Sequence, residues 1–119
     1  MPKWLRAATL LVREDRYYVE PTIFTDAEDS SAFMKEEIFG PVASIARFAD
    51  YDEAVRRAND TSYGLAAAVF TQNITRGHRI AEKLQVGMVW INSNQDSHYG
   101  IPFGGWKTSG IGRELGEYG

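Results

Sequence analysis

The chain has no cysteine. That absence excludes a disulfide framework, a thiolate metal site and a thiol nucleophile together. Histidine is scarce as well: His78 and His98 stand too far apart in sequence to suggest a zinc site. No long apolar run follows Met1, so neither a secretory leader nor a membrane span is expected, and the expected compartment is the cytoplasm. Positive charge is not clustered. A net charge of -3 argues against nucleic acid or an anionic membrane as partner, because both reward grouped Lys and Arg. Arg56 and Arg57 are adjacent, but Asp52 and Glu53 precede them, which reads as a solvated helix face rather than a phosphate clamp. Internal repeats and low-complexity tracts are missing too.

What is present suits one soluble domain of 119 residues, with an apolar fraction of 44% and a charged fraction of 24%. Residues 1–16 form a distinct N-terminal segment in which Trp4–Val12 is apolar enough for a short helix or a strand. Tyr17–Phe24 is β-branched and aromatic with Pro21 inside it, which predicts an edge or bent strand. Ser31–Glu37 holds one expected helical turn, closed by Pro41. Val42–Phe48, Leu65–Thr71 and Met88–Asn92 read as strands, apolar enough to be covered on both faces. Asp50 with Glu53 three residues on resembles a capping box and predicts a helix to Asn59. Asn73 or Thr75 starts a second helix to about Leu84, and Gly87 breaks the chain after it. A glycine-rich loop follows to Gly112, and Arg113–Tyr118 is expected to open a last helix. Strand, helix, strand, helix, strand is the order of βαβ units, so the expected class is α/β with a mostly parallel sheet and flanking helices. Ligands in such folds sit beyond the C-terminal ends of the strands, where the loop Ser93–Gly112 lies.

Two phosphate motifs nearly match and fail. Gly100–Thr108 looks like a phosphate-binding loop, but Trp106 separates the last glycine from Lys107 and breaks the register. Gly110–Gly116 has one residue too many for a dinucleotide fingerprint, and no buried strand precedes it. Glu36 and Glu37 offer a pair of carboxylates. On a helical turn they would point about 100° apart and fail to converge, so a solvated helix end is the simpler reading. Glu114, at an expected helix start, is explained by the helix dipole alone. Phe103 sits between a proline and two glycines and can face a cleft, although aromatic residues are usually core.

Five blocks then carry a resemblance. Tyr18–Phe24, EEIFGPV at Glu36–Val42, NDTSYGLA at Asn59–Ala66, GMVWIN at Gly87–Asn92 and PFGGWKTSGIGRELGEYG at Pro102–Gly119 occur in order at family spacing. The chain resembles the C-terminal part of the aldehyde dehydrogenase catalytic region over about Tyr17–Gly119. The resemblance implies that Glu37 hydrogen-bonds the ribose near the nicotinamide of NAD or NADP and that Phe39 packs beside that ring. It implies that Phe103 lines the substrate tunnel and that Glu114 lies behind the site. In the family a cysteine thiolate attacks the aldehyde, the thiohemiacetal passes hydride to NAD or NADP, and water releases the acid with a glutamate as base. The nucleophile, the base and the nucleotide-binding fold lie upstream of this stretch in the family. The expectation is therefore a truncated aldehyde dehydrogenase-like domain over 1–119, inactive alone, binding little or no cofactor, and associating with itself or with a full-length relative. The alternative is a repurposed, non-redox isomerase or cyclase, in a biosynthetic pathway, with Glu114 and the Phe103 loop as working parts and a small molecule as ligand.

Overall fold

The computed structural model describes residues 12–13, 16–25 and 27–118. The reading of Trp4–Val12 as a helix or strand lies outside the described residues except for the backbone of Val12. The chain divides into two compact units, Met1–Phe48 and Ala49–Gly119.

In the first unit, Val12–Arg13 (β1) and Arg16–Tyr17 (β2) pair antiparallel. Thr22–Thr25 (β3) and Val42–Ile45 (β4) pair in parallel, from Thr22 opposite Val42 to Thr25 opposite Ile45. Parallel neighbours need a crossover. Here it contains a one-turn helix, Ala32–Lys35 (α1), so the unit is a small βαβ. Pro21 stands just before β3 instead of inside it. It has no N–H to give a ladder, and the first N–H after it, that of Thr22, reaches the Pro41 carbonyl at 2.9 Å. The strand expected over Val42–Phe48 ends at Ile45, opposite Thr25, the last residue of its partner β3. Phe24 and Phe33 stack with ring centroids 4.3 Å apart, and the Ser44 hydroxyl donates to the Phe33 carbonyl, which joins α1 to both strands.

The second unit begins with Tyr51–Asn59 (α2). The Asp50 carboxylate accepts from the Glu53 N–H at 2.8 Å, as the capping pattern predicts. Glu53 reaches back to the Ala49 N–H at 2.7 Å, one residue earlier than a standard capping box. Ala66–Val69 (β5), Ile74–Lys83 (α3) and Met88–Ile91 (β6) form a second βαβ with its strands parallel, Ala66 opposite Met88 and Val69 opposite Ile91. Asn73, not Thr75, caps α3: its side chain accepts from the Arg76 N–H at 3.0 Å. β5 and β6 are shorter than expected at both ends or at one, and again each ends where the other does.

The expectation of strands covered on both faces is corrected here. A Cβ on Gly77 of α3 would lie 3.0 Å from Ile91 Cγ2, so the missing side chain lets the helix settle on one face of the pair. Alternation puts Val89 and Ile91 toward α3 and Met88 and Trp90 away from it. On β5 the half-buried residues are Ala67 and Val69, whereas Ala66 and Ala68 are exposed. Among the described residues Leu84 is the one buried hydrophobic side chain, and Ile23, Ile45, Phe48, Leu65 and Phe70 are exposed. The strands are apolar because their sequence is suited to cover that this chain supplies on one side only.

Candidate functional site

The uncovered face of β5 and β6 forms the floor of a cleft of about 460 Å³ in the second unit. Leu65, Ala66, Ala68, Met88 and Trp90 rise from the strands, Asn94, Gln95 and Ser97 come from the loop after β6, and Phe103 completes the wall. The loop is turned by Asn92 and Gln95, both at positive φ (58° and 61°), a conformation that asparagine tolerates better than most residues. The Trp90 indole N–H donates to the Asp96 carbonyl at 2.7 Å and ties that loop to the sheet. The lining is largely aliphatic and aromatic with a few amides and a hydroxyl, a composition suited to a small apolar ligand with one polar group.

Phe103 and Glu114 are brought together by the backbone. The Phe103 N–H donates to the Glu114 carbonyl at 2.7 Å, and the Glu114 N–H returns the bond at 2.8 Å. Glu114 thus pairs in an antiparallel bridge instead of starting a helix, and no helix dipole accounts for its place. The described helical turn that follows it is a 3-10 turn over Gly116–Tyr118, entered through Leu115 and Gly116 at positive φ. The Glu114 side chain is exposed and does not line the cleft.

The loop carrying Phe103 is held by a clasp that the sequence reading missed. The Trp106 N–H donates to the Gly64 carbonyl, Thr108 donates twice to the Ser62 carbonyl, and the Ser109 hydroxyl accepts from the Gly64 N–H at 2.9 Å. The Lys107 ammonium donates to the Asn59 carbonyl at 2.8 Å and to the Thr61 carbonyl at 3.1 Å, capping the C-terminal end of α2. A Cβ on Gly87 would lie 1.7 Å from the Gly104 carbonyl oxygen, so only glycine fits where the loop crosses the start of β6. This clasp also shows physically why Gly100–Thr108 is no phosphate loop. Two of the N–H groups a phosphate would need are already donated to Ser62 and Gly64.

In the first unit, α1 ends at Lys35, and Glu36 is extended (φ −103°, ψ 151°). The helical-turn geometry expected for Glu36 and Glu37 is therefore wrong. Both are exposed. Phe39 is 95% exposed. Here the Gly40 N–H donates to the Ile38 carbonyl and the Val42 N–H to the Gly40 carbonyl, each bond spanning two residues, so the backbone turns tightly at Phe39 and again at Pro41. Among the described residues no group of three His, Asp or Glu is placed to hold a metal ion, and no helix is long and apolar enough to cross a membrane.

Comparison with known proteins agrees with the sequence blocks. A sequence model described as the aldehyde dehydrogenase family matches residues 7–119. The chain is 52% identical over 103 residues to the NAD(P)+ aldehyde dehydrogenase 1 of Saccharomyces cerevisiae, covering 87% of this chain and 20% of that protein. It is 51% identical over 116 residues to the mitochondrial benzaldehyde dehydrogenase of Antirrhinum majus, covering 93% of this chain and 22% of that one. The NAD+ complex of an aldehyde dehydrogenase from Bacillus cereus superposes with a TM-score of 0.85 at 51% identity, covering 94% of this chain and 23% of that one. The chain thus spans about a fifth of the length of the relatives it matches.

Proposed function

The chain belongs to the aldehyde dehydrogenase family, and we propose that it supplies one wall of an active site for NAD(P)-linked oxidation of an aldehyde to a carboxylic acid without performing that oxidation alone. The observation that carries the reading is the cleft with Phe103 in its wall, in a chain with no cysteine. The family's chemistry begins with a thiolate, and the hydroxyls and carboxylates here are far weaker nucleophiles at neutral pH. The apolar lining fits an aliphatic or aromatic aldehyde.

Glu37 and Phe39 suit the cofactor role that the resemblance implies. An exposed carboxylate accepts from two ribose hydroxyls, and an exposed ring offers a flat apolar face to a nicotinamide. Bound there, the nicotinamide supplies a hydride acceptor. These contacts do not hold a dinucleotide by themselves, since two or three polar contacts must offset an association cost of at least ~4 kcal/mol. The exposed apolar strands favour association of the chain with a second copy or with a full-length relative. The alternative, a non-redox isomerase or cyclase, draws on Glu114 and the Phe103 loop, of which Phe103 lines the cleft and Glu114 does not.

A graft tests the proposal. The purified chain forms no NAD(P)H from a panel of aldehydes above a heat-killed control, and calorimetry finds no micromolar NAD affinity. The Bacillus cereus enzyme with its matching stretch replaced by residues of this chain oxidises aldehydes, and Phe103→Ala in the graft raises KM. Turnover by the chain alone, or a folded graft without activity, overturns the reading.

A further inference from the structure

We propose that the groove between α2 and α3 is a binding site for a small dianion of the phosphate class, either inorganic phosphate or a phosphate monoester. The groove has a volume of about 510 Å³ and lies wholly within the second unit. It is separate from the Phe103 cleft, and the inference does not rest on the function proposed above. Its cationic wall is one stripe of α3. Arg76, Arg79 and Lys83 recur at helical spacing with Ile80 among them, facing Tyr51, Asp52 and Val55 of α2.

The groove is braced at both ends. At one end the Arg76 guanidinium lies over the Tyr51 ring, 4.3 Å from its centroid, and donates to the Tyr51 hydroxyl. At the other, the Asn59 side chain donates to the Lys83 carbonyl and accepts from the Gln85 N–H, both at 2.8 Å. Such bracing holds the Arg76 side chain and ties the end of α3 to α2 before any ligand arrives, which lowers the cost of ordering that part of the groove.

Charge balance sets the ligand class. Asp52 is the one acid in the lining, and Lys83 already pairs with it at 2.9 Å. Among the described residues two guanidinium groups remain without a carboxylate partner. Arg76 is held by Tyr51 through stacking and one N–H, and Arg79 has no partner among the described residues. Two planar forks facing one groove suit a tetrahedral oxyanion carrying two charges, which guanidinium binds through paired N–H···O bonds. The first turn of α3 borders the same space at Asn73 and Thr75, with the Arg76 N–H already capped by Asn73. Val55 and Ile80 form an apolar floor beneath the charges and weaken competition from water.

The test is titration calorimetry on the full chain at constant ionic strength, with inorganic phosphate, glycerol phosphate, succinate and chloride as probes. Phosphate or glycerol phosphate gives a saturable isotherm, and the tighter of the two identifies the source. Arg79→Gln weakens it by about fivefold or more, and Arg79→Lys, which keeps the charge but loses the fork, recovers part of that loss. Arg56→Gln, which removes a cation outside the groove, leaves the isotherm unchanged. Succinate binding as tightly as phosphate, an equal loss in the Arg56 variant, or no saturable signal with either phosphate overturns the inference.

Discussion

The two units are both built on a parallel βαβ, yet they are held together differently. In the first, the contacts between β3, α1 and β4 include the strand ladder, the stack of Phe24 on Phe33 and the hydroxyl bond from Ser44 to Phe33. In the second, side chains reach across the sequence to backbone at Asn59, Lys107, Thr108 and Ser109, and glycines allow backbone to touch backbone. The contrast separates two uses of family sequence. The EEIFGPV block in the first unit presents Glu37 and Phe39 outward and uses neither for its own packing. The PFGGWKTSG block in the second is consumed by the clasp that sets Phe103 on the cleft wall. One block therefore leaves its side chains exposed, and the other spends its groups on architecture.

The sharpest way to break this contrast is to add one methyl group to a glycine in each unit. Gly87→Ala places a Cβ against the Gly104 carbonyl, where backbone must move, and costs about 3 kcal/mol or more. Gly40→Ala has nothing within 4 Å of the new Cβ and changes stability by less than about 0.5 kcal/mol. Urea unfolding followed by tryptophan fluorescence measures both. Equal effects at the two positions show that the loop crossing near Gly87 is not the close contact described.

Phe33→Ala removes the stack on Phe24 in the first unit. Because the ring is half-buried, the loss is about 2 kcal/mol, below the range for fully buried aromatics. Hydrogen exchange localises the effect: protection falls across Thr22–Thr25 and Val42–Ile45 and is unchanged in Ile74–Lys83. A uniform loss through both units means that they unfold together.

Asn59→Ala cuts both side-chain bonds between α2 and the end of α3. The Lys83 carbonyl and the Gln85 N–H turn to water, since both residues are exposed, so the cost is about 1 kcal/mol. The Asp50→Ala cap deletion costs about the same. Thermal unfolding of the double variant shows nearly additive losses if the two ends of α2 act independently.

How far the sequence was legible follows the same division. Signals that act within four residues were readable: Asp50 with Glu53, Asn73 before α3, the helical spacing of both helices, and the family blocks themselves. Signals that depend on a distant partner were not. Strand ends at Ile45, Val69 and Ile91 are set by where the paired strand stops. Glu114 was read as a helix start because its own neighbours favour one, but Phe103 takes its backbone groups first. The clasp of Lys107 and Ser109 onto Asn59–Gly64 spans more than forty residues, as its separations of 48 and 45 show, and no local pattern marks it. Gly87 marks a break locally, and its crowding against the Gly104 carbonyl is set by a distant part of the chain.

The smallest effect expected is electrostatic and lies in the second unit. The Lys83 ammonium, hydrogen-bonded to Asp52 and attracting it by charge, lowers the Asp52 pKa below its ordinary 3.8. A carboxylate whose folded pKa is depressed stabilises the fold above its unfolded pKa and loses that contribution as pH falls through the folded value. The pair is exposed at both partners, so water and salt screen it and the contribution is slight. Comparing the chain with Lys83→Gln isolates it. At about pH 6 and low salt the variant unfolds at slightly lower urea concentration, and the two curves converge as the solution is acidified below the ordinary carboxylate value. High salt closes the same gap at neutral pH. No equivalent convergence occurs for Asn59→Ala, whose bonds carry no titratable group. A gap between the chain and Lys83→Gln that persists unchanged in acid means that Lys83 acts through its aliphatic stem against α2 and not through its charge on Asp52.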